Sequence, residues 1–157
     1  MKTGLVRVSH TGDRMMEKRA FTPAVILSGV AVGIFQAISP IVLWWLEPAD
    51  VWGVALAFIA AVYIGFAVAD GRRAVIAVEV IVASAFVVCA TIAMAWFPWL
   101  IVIGLVAHGL KDLWQHRTQF VANTRWWPPF CLVVDVVAAA LTAAILWTGF
   151  DLRRLGI

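Results

Sequence analysis

The sequence predicts an all-α integral membrane bundle of five transmembrane helices with a cytoplasmic amino terminus. Of its 157 residues, 64% are hydrophobic and only 13% are charged, whereas soluble domains average about 45–50% apolar and about 25% charged residues. Apolar runs near the length needed to cross a bilayer core, about 20 residues, recur along the whole chain. A soluble fold of this length would expose large apolar patches to water, so the composition favours a bilayer.

Five apolar runs are the predicted spans: Pro23–Leu46, Val51–Ala69, Ala74–Trp96, Trp99–Leu113 and Phe130–Gly149. The third and fourth are separated only by Phe97 and Pro98, and proline ends a helix because it lacks an amide donor. These two runs are therefore expected to form a tight hairpin. We expect residues 1–22 to be a basic cytoplasmic segment, 23–150 the five-helix transmembrane domain, and 151–157 a short carboxyl-terminal tail.

The basic residues predict the orientation of the bundle. Ten of the 12 fall on one side of the predicted spans: Lys2, Arg7, Arg14, Lys18, Arg19, Arg72, Arg73, Lys111, Arg117 and Arg125. The connections on the other side carry Glu47 and Asp50 and no basic residue. Because positive charge is retained in the cytoplasm, the amino terminus is expected there, although Arg153 and Arg154 deviate. The nine tryptophans lie near span ends, including Trp52 and Trp96, as expected of interfacial belts.

Several ionisable residues lie inside the predicted spans. Glu79 and Asp135 interrupt apolar runs of Val, Ile and Ala, and a charge at membrane depth costs about 2.5–3.5 kcal/mol on insertion scales. His108, Asp112 and His116 are spaced four apart and drift only about 80° around a helix, so they form one polar stripe. All five groups are expected near the cytoplasmic leaflet, which makes that level of the bundle the predicted site.

These five residues are the predicted metal ligands, and Glu79 and Asp135 are the predicted catalytic carboxylates. The two histidine Cα atoms are about 12 Å apart along the helix, too far for one ion with bonds of about 2.0–2.1 Å. His108 with Asp112, Asp112 with His116, or a dinuclear site bridged by Asp112 all remain open. Glu79 and Asp135 would complete the ligand set or act as a general base. Pairing of the carboxylates with Lys111, Arg117 or Arg125 is the structural alternative.

The carboxyl-terminal third carries a recognisable pattern. His108-Gly109-Leu110-Lys111-Asp112-Leu113-Trp114-Gln115-His116, then Pro128-Pro129-Phe130-Cys131 and Asp135, resembles small bacterial integral membrane proteins of uncharacterised function. That resemblance implies a multi-pass protein of the bacterial inner (plasma) membrane and implies no activity. The histidine–carboxylate set is also distantly similar to the membrane-embedded metal hydrolases of the ceramidase and adiponectin-receptor type. Those hydrolases have seven helices and differently spaced ligands, so this chain differs from them in the number of helices and in the spacing of its candidate ligands.

Three functions are compatible with these residues. The first is a metal-binding protein holding zinc or iron, and with it an enzyme acting on a lipid or other apolar small molecule. The second is a proton- or cation-coupled small transporter in which Glu79 and Asp135 titrate. The third is an accessory subunit of a larger membrane complex. The bilayer is the expected partner, a homo-oligomer stays open, and the scattered basic residues do not form a nucleic-acid footprint.

Overall fold

The computed structural model describes residues 21–122 and 124–155. Over that range the chain forms five α-helices and no strand: α1 (Pro23–Ile38), α2 (Pro48–Asp70), α3 (Arg73–Ala95), α4 (Trp99–Thr118) and α5 (Trp127–Thr148). Short 3-10 helices cover Ser39–Ile41 and Leu152–Leu155. The all-α prediction is confirmed. The predicted basic segment 1–22 lies outside the described residues except for Phe21 and Thr22, whose hydroxyl accepts a hydrogen bond from the Val25 amide and caps α1.

Four helices are long and apolar enough to cross a membrane: Pro23–Ile41, Pro48–Asp70, Arg73–Ala95 and Trp127–Thr148. These four helices support the multi-pass membrane protein expected from the sequence. The helix α4 is not among these four, because its second half carries charged and polar side chains. It nevertheless packs against α2, α3 and α5, and its polar residues His108, Asp112 and Gln115 are buried against protein. A fifth span and a cytoplasmic amino terminus stay predictions.

The first helix is shorter than expected. It ends at Ile38 and continues only as a 3-10 turn to Ile41, so the predicted extent to Leu46 is wrong. Pro40 is the physical reason, since a proline cannot donate to the helical ladder and clashes with the preceding turn. The indole N–H of Trp52 donates to the Ala37 carbonyl near this helix end, at 3.0 Å. Trp52 is only 2% exposed and packs inside the protein, whereas Trp96 is 80% exposed, and the interfacial belts stay a prediction.

Two glycines allow α1 to lie directly against α5. A Cβ atom at Gly29 would be 2.8 Å from the Val133 Cβ, and one at Gly33 would be 2.8 Å from the Val134 carbonyl oxygen. Neighbouring backbones approach this closely in membranes where the interface consists of small residues. Residue numbers rise together along the two helices, so α1 and α5 run parallel.

The interior is layered along the bundle axis. One apolar cluster, the distal cluster, contains Trp52, Leu56, Ala90, Ala93, Ile101, Leu105, Ala138, Ala139 and Leu152. A second, the basic-end cluster, contains Tyr63, Ala67, Val75 and Val121, with Phe66, Ile76, Phe120 and Trp127 packed against it. The ionisable residues Glu79, His108 and Asp135 lie between these clusters on α3, α4 and α5. The fold thus encloses one polar layer between two apolar ones.

Candidate metal centre

The centre of the polar layer is formed by His108 and Asp112 of α4 and Asp135 of α5, each with a relative exposure of 0%. The His108 Nδ1 atom lies 2.8 Å from the Asp135 Oδ2 atom and 3.4 Å from the Asp112 Oδ2 atom. One donor atom from each residue falls within 4.8 Å of the other two. A group of this kind could hold a metal ion. We call these three residues the triad.

The local fold explains why the triad assembles. His108 and Asp112 are separated by four residues and therefore share one face of α4, one turn apart. Gly109 lets α5 approach that face, since a Cβ atom there would lie 3.3 Å from the Leu132 Cδ1 atom and 3.4 Å from the Asp135 Cβ atom. A methyl group at position 109 would be in tight contact with the Leu132 side chain and in contact with Asp135. The glycine is thus part of the architecture of the site.

Three polar atoms of the triad have unused bonding capacity. The His108 Nε2, Asp112 Oδ2 and Asp135 Oδ1 atoms are buried and have no hydrogen-bond partner within the described part of the chain. Buried polar groups without partners are rare in folded proteins and each needs an explanation. Two ligand atoms bound to one ion at tetrahedral angles are about 3.3 Å apart, given bonds of about 2.0–2.1 Å. The separations of 2.8 and 3.4 Å from the Nδ1 atom bracket that value.

Aromatic side chains surround the triad. The Tyr63 hydroxyl of α2 donates a hydrogen bond of 2.5 Å to the Asp112 Oδ1 atom. The rings of Tyr63 and Phe86 meet the His108 ring edge-on, with centroids 6.0 and 5.2 Å away. These contacts fix the orientation of the imidazole and one carboxylate. They also exclude water, which strengthens electrostatic interactions inside the site.

Glu79 lies beside the triad in an ion pair of its own. Its Oε2 atom is 2.8 Å from the Lys111 Nζ atom, and the two side chains are 1% and 12% exposed. The same ammonium lies 3.1 Å from the centroid of the Tyr63 ring. Pairing with Lys111, the structural alternative raised from the sequence, is therefore what the structure contains for this carboxylate. Glu79 is not in the three-residue group, and its roles as a ligand and as a catalytic group stay predictions.

His116 is also outside the group. Its ring packs edge-on against Phe21, with centroids 5.5 Å apart. The buried side of α4 instead continues from His108 and Asp112 to Gln115, which is 0% exposed. This is the i, i+4, i+7 pattern of a buried helix face. The same spacing in the sequence could have predicted that Gln115 is buried. Tyr63 also carried a signal, because the only tyrosine of the chain lies within a span instead of at an interface.

Hydrogen bonds between two connections close the basic end below the site. Asp70, at the end of α2, accepts from the Arg72 side chain at 2.6 and 2.7 Å and from the Ala122 amide at 2.7 Å. Arg72 also donates to the Phe120 carbonyl at 2.6 Å, and its hydrogen bonds to Asp70 raise the pKa of the guanidinium. Val121, between these anchored residues, is 0% exposed within the basic-end cluster.

The chain was compared with protein-family models, curated proteins and solved structures, and none of them matches it. The resemblance of the carboxyl-terminal third to small bacterial membrane proteins therefore stays a prediction.

Proposed function

We propose that this chain is an integral membrane protein that binds one divalent transition-metal ion through His108, Asp112 and Asp135. The observation that carries the proposal is the convergence of three fully buried donor groups within 4.8 Å of one another. Each triad residue retains a buried atom without a hydrogen-bond partner in the described part of the chain. An ion held between the His108 Nδ1 atom and the Oδ2 atoms of the two aspartates would satisfy the Asp112 Oδ2 atom, which an apolar interior leaves at a free-energy disadvantage.

Charge balance supports the same proposal. The polar layer holds the carboxylates of Glu79, Asp112 and Asp135, all no more than 1% exposed, and Lys111 pairs with Glu79. With a neutral imidazole, the triad itself would carry two uncompensated negative charges in a low-dielectric interior. Uncompensated buried charges are strongly unfavourable. A divalent cation neutralises both carboxylates at once.

The donor set limits the identity of the ion. One imidazole nitrogen and two carboxylates suit zinc, ferrous iron or manganese, whereas soft thiolates would favour copper(I). Cys131 is buried on α5 but does not belong to the donor group. Zinc or iron, the ions expected from the sequence, both remain compatible with these donors.

The activity best suited to such a centre is metal-assisted hydrolysis of a lipid or other apolar substrate. Three protein ligands leave a coordination position for water or substrate, where a metal lowers the pKa of bound water and polarises a carbonyl. Among the sequence candidates, Asp135 would serve as a ligand, and Glu79 would remain the carboxylate available for proton transfer.

Metal analysis of purified variants tests the proposal. The protein is purified in detergent after growth with added zinc, iron or manganese, and metal is measured per chain. We expect about one ion per chain in the wild type, and on the order of a tenth of that or less in His108→Gln, Asp112→Asn and Asp135→Asn, since removal of one ligand leaves an incomplete site. His116→Gln is the matched control and should retain its ion. Helical circular dichroism and a monodisperse elution profile confirm that each variant is folded.

A metal-free wild-type protein, or triad variants that keep their metal, would overturn the proposal. Equal losses in His108→Gln and His116→Gln would instead indicate that both histidines participate, as in the dinuclear site considered from the sequence.

The layering of the bundle favours a second candidate, a proton- or cation-coupled transporter. The triad lies between two apolar clusters, as expected of an ion occluded during transport. Two further buried polar residues could contact a transported ion. Gln36 of α1 and Thr142 of α5 are 7% and 1% exposed, and each has a polar atom without a hydrogen-bond partner among the described residues. Metal flux into liposomes under a pH gradient tests this candidate. Transport abolished by Glu79→Gln would support it, and a protein that binds metal without flux would exclude it.

A further inference from the structure

Four side chains from three helices, three of them buried and Lys111 half-buried, form a continuous series of contacts that ends at the triad. Glu79 of α3 pairs with Lys111 of α4 at 2.8 Å. The Lys111 ammonium lies 3.1 Å from the centroid of the Tyr63 ring of α2. The Tyr63 hydroxyl donates to the Asp112 Oδ1 atom at 2.5 Å. A carboxylate that is absent from the donor group is thus connected to one of its members.

The hydrogen bond from Tyr63 makes the two oxygens of Asp112 inequivalent. The Oδ1 atom accepts from the phenol, whereas the Oδ2 atom faces the His108 Nδ1 atom at 3.4 Å and has no hydrogen-bond partner in the described residues. A carboxylate with one oxygen in a short hydrogen bond offers the other oxygen as its ligand atom. Residues that orient ligands in this way commonly change metal affinity by 10–100-fold on mutation.

The Tyr63 ring is itself held in place. The side chain is 0% exposed, and an ammonium over its face is attracted by the negative charge of the π system. Lys111 would lose that position without Glu79, because an unpaired ammonium in an apolar interior is strongly unfavourable. The ion pair therefore restrains the ring, and the ring restrains the carboxylate.

We propose that Tyr63 is a positioning residue that makes Asp112 a ligand through one oxygen, and that Glu79 acts on the metal centre through Lys111 and Tyr63, outside the ligand set. This inference rests on the proposed metal site. It gives a role to a tyrosine and a lysine that no motif in the sequence assigns, and it explains why a buried carboxylate lies beside the triad without joining it.

Cobalt(II) titration in detergent tests the inference, since the visible spectrum of cobalt(II) reports coordination number. For Tyr63→Phe we expect a 10–100-fold weaker affinity and a spectrum shifted towards a higher coordination number, because Asp112 is free to bind through both oxygens. Glu79→Gln should weaken binding in the same direction. In the Tyr63→Phe background the same change should have little further effect, since both act through one series of contacts. Glu47→Gln, at the opposite end of the bundle, is the matched control and should bind like the wild type.

Infrared difference spectra of the unaltered protein give a second readout that does not depend on a folded variant. The carboxylate stretches that change on cobalt binding should include the wide splitting of a one-oxygen ligand.

An unchanged affinity and spectrum in Tyr63→Phe would overturn the role of Tyr63, as would a narrow, two-oxygen splitting for every carboxylate in the infrared spectra. Glu79→Gln could instead lower the cobalt affinity as much as Asp135→Asn does, and by the same factor in the Tyr63→Phe background. That result would make Glu79 a direct ligand and overturn its indirect role. A wild-type protein that binds no cobalt, zinc, iron or manganese would overturn the proposed function itself, and the inference with it. If the wild type binds metal and the Tyr63→Phe and Glu79→Gln variants bind it with the same affinity and spectrum, the inference alone is overturned.

Discussion

The Nδ1 atom of His108 lies 2.8 Å from the Oδ2 atom of Asp135, and this contact joins α4 to α5 in the middle of the polar layer. Both side chains have a relative exposure of 0%. Gly109 lies beside this contact, where its lack of a side chain leaves room for Leu132 and Asp135 of α5. The contact places the single buried histidine of the described residues between two carboxylates, one from its own helix and one from the neighbouring helix.

Metal should stabilise the fold through this contact. A ligand that binds only the native state at about 100 times its dissociation constant adds about 2.7 kcal/mol, so the thermal unfolding midpoint of the wild type in detergent should rise when metal is added. Asp135→Asn should lose the rise, whereas Asp50→Asn, at the start of α2, should keep it. Differential scanning fluorimetry with and without a chelator measures the effect. An equal rise in both variants would contradict binding at the triad.

The close contact between α1 and α5 should not tolerate a methyl group. A Cβ atom at Gly33 would lie 2.8 Å from both the Val134 carbonyl oxygen and the Val137 Cβ atom, so Gly33→Ala should destabilise the bundle by about 1–3 kcal/mol. Gly65→Ala is the matched control, because a Cβ atom there would meet nothing within 4 Å. Its effect should stay within about 1 kcal/mol. Unfolding in mixed micelles compares the two, and equal losses would contradict the helix packing.

The carboxylate of Asp70 should control the connection before α5. It accepts a hydrogen bond from the Ala122 amide at 2.7 Å while pairing with Arg72. In Asp70→Asn the acceptor becomes neutral and weaker, since charge-assisted hydrogen bonds are roughly twice as strong as neutral ones. Amide hydrogen exchange around Ala122 should become faster, while exchange in α3 stays the same. Unchanged exchange around Ala122 would show that Asp70 does not hold this connection.

Composition and patterning predict much of the fold because apolar runs at membrane length have few alternative structures. The bounds of α2, α3 and α5 lie within three residues of the predicted ones, whereas α4 extends five residues beyond its predicted end at Leu113, to Thr118. The extent of α1 was overestimated because apolar residues follow Pro40, and hydropathy does not register the missing amide of a proline. Helix α4 is not among the four helices apolar enough to cross a membrane, and its polar residues His108, Asp112 and Gln115 are buried against other helices, a property of packing that hydropathy does not register.

Hydropathy likewise predicted some residues of the site and missed others. His108, Asp112 and Asp135 could be identified because ionisable residues at membrane depth require a reason. Tyr63 and Lys111 belong to the same layer, but their roles arise from contacts between helices that no spacing within one helix encodes. His116, the third member of the predicted stripe, is half-buried, and its role as a ligand stays a prediction, whereas Gln115 at the next buried position is 0% exposed.

X-ray absorption spectroscopy of the metal-loaded wild-type protein tests the metal centre most directly. The nearest neighbours of the ion should be nitrogen and oxygen atoms at about 2.0–2.2 Å. The spectrum of the wild type should contain the scattering of one histidine imidazole. The spectrum of any metal that remains bound to His108→Gln should lack it. A spectrum with sulfur neighbours from Cys89 or Cys131, or one without histidine scattering, would contradict binding by His108, Asp112 and Asp135.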